Sequence, residues 1–413
     1  MDSLPTDRPR ISPLRRRESR RIGVDAVVTR PTPRVSLGTI AREWGRIGVT
    51  GFGGPPVHIA LLRALCVRER EWMDETEFED ALSAVNLLPG PASTQLALYA
   101  AWFLRGVPGA LVAAATFILP GTVAIVLLSA LFVQPHPPLL VLGAAAAMGA
   151  VVPVVALQAA RVLAGPSWSR VSEGGGSRWR WTTYVLAGAL GALWLGPWLV
   201  VVILLAGLAE VVVRRSDGVV SLFTPLGVVS GLGAVGGLGA LVVEALKVGA
   251  LSYGGGFVII PLMQHDTVTV HHWMTGVQFS NAVALGQITP GPVVQTVAVV
   301  GYAAAGYLGA ALATAFAFSP SLLFVVAGGP HFARLRANQR AQQFLSGAGA
   351  ASIGAIGGSA LTLATPLHHL WQWGVTVVAL GWLVGLRRST VVALVVAAAI
   401  GVVAALAGAP LPH

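Results

Sequence analysis

Cysteine and charged residues are the residue types that this chain has in short supply. Its single cysteine, Cys66, excludes an internal disulfide and a cysteine-based metal site. Charged residues fill 11% of the 413 positions, whereas a soluble domain has about 25%. Apolar residues fill 55% of them. This balance excludes an ordinary soluble protein and predicts an integral membrane protein.

Two further absences narrow the class of function. The sequence shows no cluster of His, Asp and Glu and no pairing of a nucleophile with a base. It therefore argues against a membrane enzyme acting on a phosphorylated lipid, and we expect neither a metal nor a cofactor. The longest polar interval is residues 1–34, which is too short for the folded domain of a sensor or assembly factor.

The segment 1–34 is rich in Arg and Pro and has no apolar core of the kind that a secretory signal peptide contains. We expect a disordered cytoplasmic tail. The net charge of +10 arises largely from this tail and from short loops. It therefore indicates membrane orientation and does not indicate binding to nucleic acid.

Apolar runs of spanning length recur from Gly106 to the C-terminus, without alternation of period two. They predict helices that cross the bilayer, and the fold class is an all-α polytopic membrane protein. The 50 glycines fit close packing of such helices.

The chain contains two copies of one unit, recognisable by motifs that recur in the same order. The spacing between copies is 201 residues up to a Pro-Gly-Pro triplet (290 − 89) and 200 residues after it (295 − 95). The matched positions are Glu43 with Glu244, Phe52-Gly53-Gly54 with Tyr253-Gly254-Gly255, Trp72-Met73 with Trp273-Met274, Pro89-Gly90-Pro91 with Pro290-Gly291-Pro292, and Gln95 with Gln295.

The repeat divides the chain into a first unit over 35–215, a linker crossing over 216–240 and a second unit over 241–413. A single linker crossing would invert the second unit, which predicts an inverted-topology repeat. The distribution of basic residues agrees with this inversion. Arg63, Arg68 and Arg70 place their loop on the cytoplasmic side, whereas the matching loop 264–272 of the second unit contains no Lys or Arg. The N-terminus is then cytoplasmic and the C-terminus lies outside. We prefer re-entrant hairpins for the broken segments, because full crossings would give about thirteen spans and place these arginines outside.

The Pro-Gly-Pro triplets predict the binding site. Two prolines remove two backbone donors, so a helix ends there, and the second proline suits the first turn of a new helix. The freed amides that follow can bind an anion. Paired broken helices in inverted repeats are typical of secondary transporters with a site at the midplane. The predicted substrate-binding residues are Gly53, Gly54, Asn86, Pro89, Gly90, Pro91, Ser93, Thr94, Gln95, Ser252, Tyr253, Gly254, Gly255, Gln287, Thr289, Pro290, Gly291, Pro292 and Gln295, with Asn281 and Thr296 as further candidates.

Other interpretations of these residues stay open. Glycine and proline are also packing and kink residues, and Gln95 and Gln295 are equally suited to interhelical hydrogen bonds. Glu43 and Glu244 are candidate proton carriers, since carboxylates at membrane depth are functional candidates. Their alternative is ion pairing, of Glu43 with Arg42 or Arg46 and of Glu244 with Lys247.

The repeated Phe-Gly-Gly and Tyr-Gly-Gly-Gly segments, the Trp-Met turn, and the duplicated triplet with its trailing Gln resemble the chromate ion transporter family, in its long two-domain form. The resemblance runs from Val35 to the C-terminus. It implies export of chromate across the inner membrane of a prokaryote, with sulfate as a related oxyanion and chromate resistance as the phenotype. The chain departs from the family in Gly53-Gly54-Pro55-Pro56, where a third glycine is common, and in Asn86, where Gln is more usual.

The residues alone argue only for some small anion, and chromate comes from the resemblance. A transporter of another anion, such as sulfate or an organic acid, is the alternative. Homo-oligomerisation and the coupling ion are left open by the sequence.

Overall fold

The computed structural model describes residues 35–412, apart from residue 87 and residues 135–136, 174–176, 215–235, 253–255 and 330–337. The predicted tail and most of the predicted linker crossing lie outside the described residues. Within them the chain forms helices and no strands, which confirms the all-α prediction. The helices are α1 (Leu37–Thr50), α2 (Pro55–Arg63), α3 (Glu75–Val85), α4 (Ala92–Phe132), α5 (Leu139–Glu173), α6 (Arg178–Trp194), α7 (Leu199–Val213), α8 (Gly237–Leu251), α9 (Ile259–Gln264), α10 (Gly276–Ile288), α11 (Thr296–Gly328), α12 (Gln339–Ala364), α13 (Leu370–Leu380) and α14 (Thr390–Leu406).

Four helices are long and apolar enough to cross a membrane. They are α4, α5, α12, and α11 together with the short turn that precedes it (Val293–Gly328). Three shorter apolar helices, in the regions of α7, α13 and α14, accompany them. A membrane protein is therefore supported by helix length as well as by composition.

The two sequence copies adopt the same local structure. α2 continues into a π-helical turn at Ala64–Glu69, and α9 continues into one at His265–Val270, 201 residues later (265 − 64). Each turn is followed by a residue with positive φ, Glu71 at 50° and His272 at 54°. A positive φ is unfavourable for a residue other than glycine. Its presence at equivalent positions therefore indicates that the two copies share one backbone conformation here.

The helices that follow these turns begin in the same way in both copies. Asp74 accepts from the Glu77 amide at 2.7 Å, and the Glu77 side chain accepts from the Asp74 amide at 2.9 Å. Thr275 and Gln278 exchange the same two bonds, at 3.2 and 2.8 Å. Both are capping boxes, and they fix the first turns of α3 and α10.

The long helices α4 and α11 are each bent at a glycine. Gly106 has φ 63° and ψ −151°, and Gly306 has φ 60° and ψ −147°. These dihedral angles are not helical, so α4 and α11 each consist of two helical segments joined at a glycine, which adopts a positive φ at little cost. The two bends are 200 residues apart (306 − 106).

Helices α1 and α8 pack against α4 and α11, respectively, through glycines. A Cβ added to Gly48 would lie 2.7 Å from the Phe117 carbonyl oxygen, and one added to Gly249 would lie 2.0 Å from the Ala317 oxygen. These backbones approach so closely that no larger residue fits. Helices α4 and α11 also pack against each other, which places each triplet against the long helix of the other half. The inverted orientation of the halves stays a prediction.

Candidate functional site

The first triplet ends one helical segment and begins α4. Gly90 has φ 122°, and α4 starts at Ala92 with Pro91 as its N-cap and without a side-chain cap. The first amides of a helix have no acceptor within it, so this end offers backbone donors. Ser93, Thr94 and Gln95 follow at once, and all three are fully buried.

The second triplet is built in the same way with one difference. Gly291 has φ 106°, and a single 3₁₀ turn, Val293–Gln295, precedes α11. Gln295 is buried, and its Nε2 donates across to the carbonyl of Ile118 in α4 at 2.9 Å. Gln95 instead bonds within its own half, from Nε2 to the Pro89 carbonyl at 2.6 Å. The interhelical role considered for these glutamines therefore holds for Gln295.

Each triplet lies against the long helix of the other half. A Cβ on Gly90 would meet Ser321 Oγ of α11 at 2.9 Å. A Cβ on Gly121 of α4 would meet the Pro290 carbonyl oxygen at 2.0 Å. Positions 121 and 321 are equivalent in the two copies, so the contact is reciprocal. The two breaks thus share one interior region between α4 and α11.

The first breaks of both copies reach the same region. The Gly51 carbonyl accepts from the Gly291 amide at 3.0 Å. A Cβ on Gly54 would lie 3.5 Å from Val293, and one on Gly256 would lie 2.9 Å from Val294. These segments of both copies therefore approach the second triplet and the turn that follows it. Tyr253, Gly254 and Gly255 lie outside the described residues.

A set of buried polar atoms on the broken segments, on α10 (where Asn281 Oδ1 faces Gly149 of α5) and on α11 has no hydrogen-bond partner among the described residues. Their residues are at most 7% exposed. An unpaired polar group costs about 1–3 kcal/mol when it is buried, so a set of such groups needs a physical explanation. The atoms are Thr94 Oγ1, Gln95 Oε1, Ser252 Oγ, Ser280 Oγ, Asn281 Oδ1, Gln287 Nε2, Gln295 Oε1 and Ser321 Oγ. We call these residues the polar cluster.

The polar cluster differs in part from the predicted set. Asn86 is exposed at the end of α3, whereas its counterpart Gln287 is buried in α10. The Thr289 hydroxyl donates to the Leu285 carbonyl of its own helix at 2.8 Å, and Thr296 donates to Val293 at 2.9 Å. These two hydroxyls are engaged locally.

Three residues of this region are absent from the sequence prediction. Ser280 precedes the candidate Asn281 on α10, and Ser321 follows the proline that matches Pro120. His58 lies on α2 and is fully buried. Nothing in its spacing distinguishes it from the other histidines. Only its position four residues after Gly54, at the start of α2, could have pointed to it.

Glu43 is buried and paired with two arginines. Its Oε2 lies 3.4 Å from Arg46 Nη2, and its Oε1 lies 2.6 Å from Arg70 Nη2. Of the two partners considered for this carboxylate, Arg46 is the one observed. Arg46 also pairs with a second carboxylate, that of Glu69, at 3.1 Å.

Glu244 is buried and paired with Lys247 at 2.9 Å, as the ion-pair interpretation expects. The same ammonium also contacts Asp266 Oδ2 at 2.6 Å. Asp266 is only 4% exposed. Two buried carboxyl groups therefore share one cation here, whereas in the first half one buried carboxylate has two.

Comparison with known proteins matches residues 38–211 and 239–404 to the family described as Chromate transporter. A chromate transport protein of Cupriavidus metallidurans is 28% identical over 80% of this chain and 84% of its own length. A probable chromate transport protein of Synechococcus elongatus is 27% identical over 90% and 96%. A chromate transport protein of Pseudomonas aeruginosa is 27% identical over 82% and 84%.

No solved structure matches this chain. The family match covers most of the sequence, including both triplets and every residue of the polar cluster. These relatives are transport proteins and not enzymes, which agrees with the absence of a nucleophile–base pair in the sequence. The chain belongs to the chromate transporter family.

Proposed function

We propose that this protein exports chromate across the cytoplasmic membrane and binds the oxyanion at the polar cluster, between the two Pro-Gly-Pro breaks. Family membership supports a chromate transport role. The observation that carries the site is the set of buried, unpartnered polar atoms around the triplets. A tetrahedral oxyanion offers acceptors on all sides, and it would give the donors of this set their missing partners.

The donors are neutral. Four hydroxyls, on Thr94, Ser252, Ser280 and Ser321, and the amide of Gln287 are unpartnered. The first amides of α4 add partial positive charge at the helix start. A dianion taken out of water is costly to bury without such donors. Because no full positive charge enters the set, the site can release the anion again.

Sulfate is the second substrate that this chemistry supports. Chromate and sulfate are both tetrahedral dianions of similar size, so hydroxyls and amides discriminate poorly between them. A different anion, such as an organic acid, is the alternative, and it would need room for a carbon skeleton. Measuring how strongly sulfate and an organic acid each compete with chromate distinguishes these possible substrates.

Alternating access in an inverted repeat rocks one half against the other around a fixed site. The reciprocal contacts of Gly90 with Ser321 and of Gly121 with Pro290 suit such a movement, because each triplet touches the other half. We propose an inverted arrangement of units 35–215 and 241–413 in the cell inner membrane. The N-terminus is cytoplasmic and the C-terminus is periplasmic in this arrangement.

Proton coupling, proposed for Glu43 and Glu244, is better supported at Glu244. Two buried carboxyl groups share one ammonium there, and carboxylates at membrane depth are candidate proton carriers. Glu43, with Arg46 and Arg70, has no such excess of acid. We expect E244Q to weaken the pH dependence of flux and E43Q to leave it unchanged. Unchanged pH dependence in both variants would remove the coupling proposal.

Everted membrane vesicles test the function as a whole. Export from the cell becomes uptake into these vesicles, so we expect chromate accumulation above that of vesicles lacking the protein. A transmembrane gradient should be required, and excess sulfate should reduce the uptake. Accumulation equal to that of empty vesicles would refute chromate export. Uptake inhibited by an organic acid and not by sulfate would favour the alternative.

A further inference from the structure

His58 connects three parts of the site. Its Nε2 lies 2.9 Å from the Gly51 carbonyl oxygen, and its Nδ1 lies 3.4 Å from Ser93 Oγ. The same Gly51 carbonyl accepts from the Gly291 amide at 3.0 Å. One imidazole therefore joins the first break, the second triplet and the start of α4.

These contacts determine the tautomer of the ring. A carbonyl oxygen only accepts hydrogen bonds, so Nε2 carries the proton. In the neutral ring Nδ1 is then an acceptor, and the hydroxyl of Ser93 must donate to it. The Ser93 proton is directed at His58 and not toward the α4 N-terminus.

A bound oxyanion reverses this requirement. An oxyanion at the α4 N-terminus needs the Ser93 hydroxyl as a donor, beside the unpartnered Thr94 hydroxyl. If Ser93 turns to the anion, Nδ1 of a buried ring loses its partner, which is unfavourable. A proton on Nδ1 resolves the conflict, because the ring then donates to Ser93 Oγ while Ser93 donates to the anion.

We propose that His58 takes up one proton from solvent when the oxyanion binds and returns it when the anion leaves, so that the site loads a dianion together with a proton. This inference rests on the proposed oxyanion site. The anion supplies the negative charge that makes a buried imidazolium tolerable, since an opposite charge nearby favours the charged form.

The groups that contact His58 are themselves uncharged. They are the Gly51 carbonyl from the end of α1, and the Ser93 hydroxyl and Phe117 ring from α4, the ring edge-on at 5.2 Å between centroids. On α1, Glu43 and Arg46 pair with each other and Arg42 is exposed, and on α4 Arg105 is exposed. On α2 itself, Arg63 pairs with Glu75 and Glu79 of α3. Within the described part of the chain, no anionic partner is provided for His58 before the substrate arrives.

Only the first half has a histidine at this position. The position equivalent to His58 in the second copy is Ile259 (259 − 58 = 201). One proton, rather than two, therefore accompanies each anion at this site. The two copies have similar backbones, but only the first has a side chain that can take up a proton at this position.

Isothermal titration calorimetry of the purified full chain, with sulfate as the probe, counts this proton. Sulfate itself takes up no proton in the range of about pH 6–8, over which histidine titrates. Titration in two buffers of different ionisation enthalpy gives the number of protons bound per anion. Wild type and H58Q are compared, with H368Q as the control, because His368 is exposed in a loop.

We expect about one proton per sulfate for wild type and H368Q and none for H58Q. In the range above the point at which free His58 loses its proton, wild-type affinity should fall on the order of tenfold per pH unit, since one proton is linked to binding. The affinity of H58Q for sulfate should not change with pH, because the glutamine amide can donate to Gly51 but cannot take up a proton.

Sulfate binding by wild type without proton uptake would overturn the His58 inference and leave the oxyanion site standing. Equal uptake in wild type and H58Q would overturn it as well. If H58Q does not fold, E244Q is compared with wild type: uptake of one proton that persists in E244Q supports His58, and uptake lost in E244Q overturns the inference. Absence of binding of both sulfate and chromate would instead refute the proposed function, and the inference would fall with it.

Discussion

Replacing Lys247 with methionine is the change whose energetic effect can be worked out most fully. Methionine keeps the length and the apolar stem of lysine and removes only the ammonium. That ammonium is the shared partner of Glu244 and Asp266, at 2.9 and 2.6 Å. Both carboxyl groups are buried, at 0% and 4% exposed.

Breaking a buried pair by removing one partner costs about 3–5 kcal/mol, because the remaining charge is left uncompensated. The matched change in the first half is R46M. Arg46 is 53% exposed at its side chain, and Glu43 keeps Arg70 at 2.6 Å. An exposed pair of this kind contributes about 0–1 kcal/mol. K247M should therefore be more destabilising than R46M by about 3 kcal/mol.

Thermal unfolding of the purified proteins in one detergent measures the difference. We expect a clearly lower melting temperature for K247M and a melting temperature close to wild type for R46M. The triple variant K247M/E244Q/D266N should recover much of the loss, since it removes the uncompensated charges together. Equal melting temperatures for K247M and R46M would refute the shared-cation account of this cluster.

Two further predictions follow from the duplication and from helix packing. In a background without Cys66, an impermeant thiol reagent should label a cysteine at exposed Arg68 from the cytoplasmic side and one at the equivalent, exposed Thr269 from the outer side; labelling of both from one side would contradict the inversion. Gly249→Ala should lower the free energy of unfolding by about 2 kcal/mol or more, since its Cβ would overlap a backbone oxygen of α11. Gly374→Ala, in open space on α13, should be neutral or stabilising, and equal effects of the two substitutions would contradict the close-packing account.

Local signals made much of this fold predictable. The Pro-Gly-Pro breaks depend on proline geometry and the capping boxes on residues three apart, so both can be found in the sequence alone. Repetition at a fixed spacing then identified equivalent positions such as Gln95 and Gln295. The predicted membrane-protein class follows in the same way, from composition and run length.

The parts that escaped prediction depend on contacts between distant segments. His58 gains its partners only when α1, α2 and α4 pack together, and Ser321 faces Gly90 across 231 residues (321 − 90). Asn86 matches Gln287 in the repeat, but it ends α3 at an exposed position while Gln287 is buried. Duplication conserves the backbone more closely than the surroundings of a side chain.

Chromate flux through purified protein in liposomes tests the central claim, that the polar cluster is the oxyanion site. Thr94→Val removes the unpartnered Oγ1 without changing the shape of the side chain. Thr314→Val is the matched control, because that hydroxyl already donates to the Ala310 carbonyl at 2.8 Å. A hydrogen bond to a charged ligand contributes about 1.5–3 kcal/mol, so T94V should need roughly 10- to 100-fold more chromate for half-maximal flux. The T314V variant should match wild type. Chromate dependence of T94V equal to that of wild type, in protein of normal stability, would contradict the proposed site.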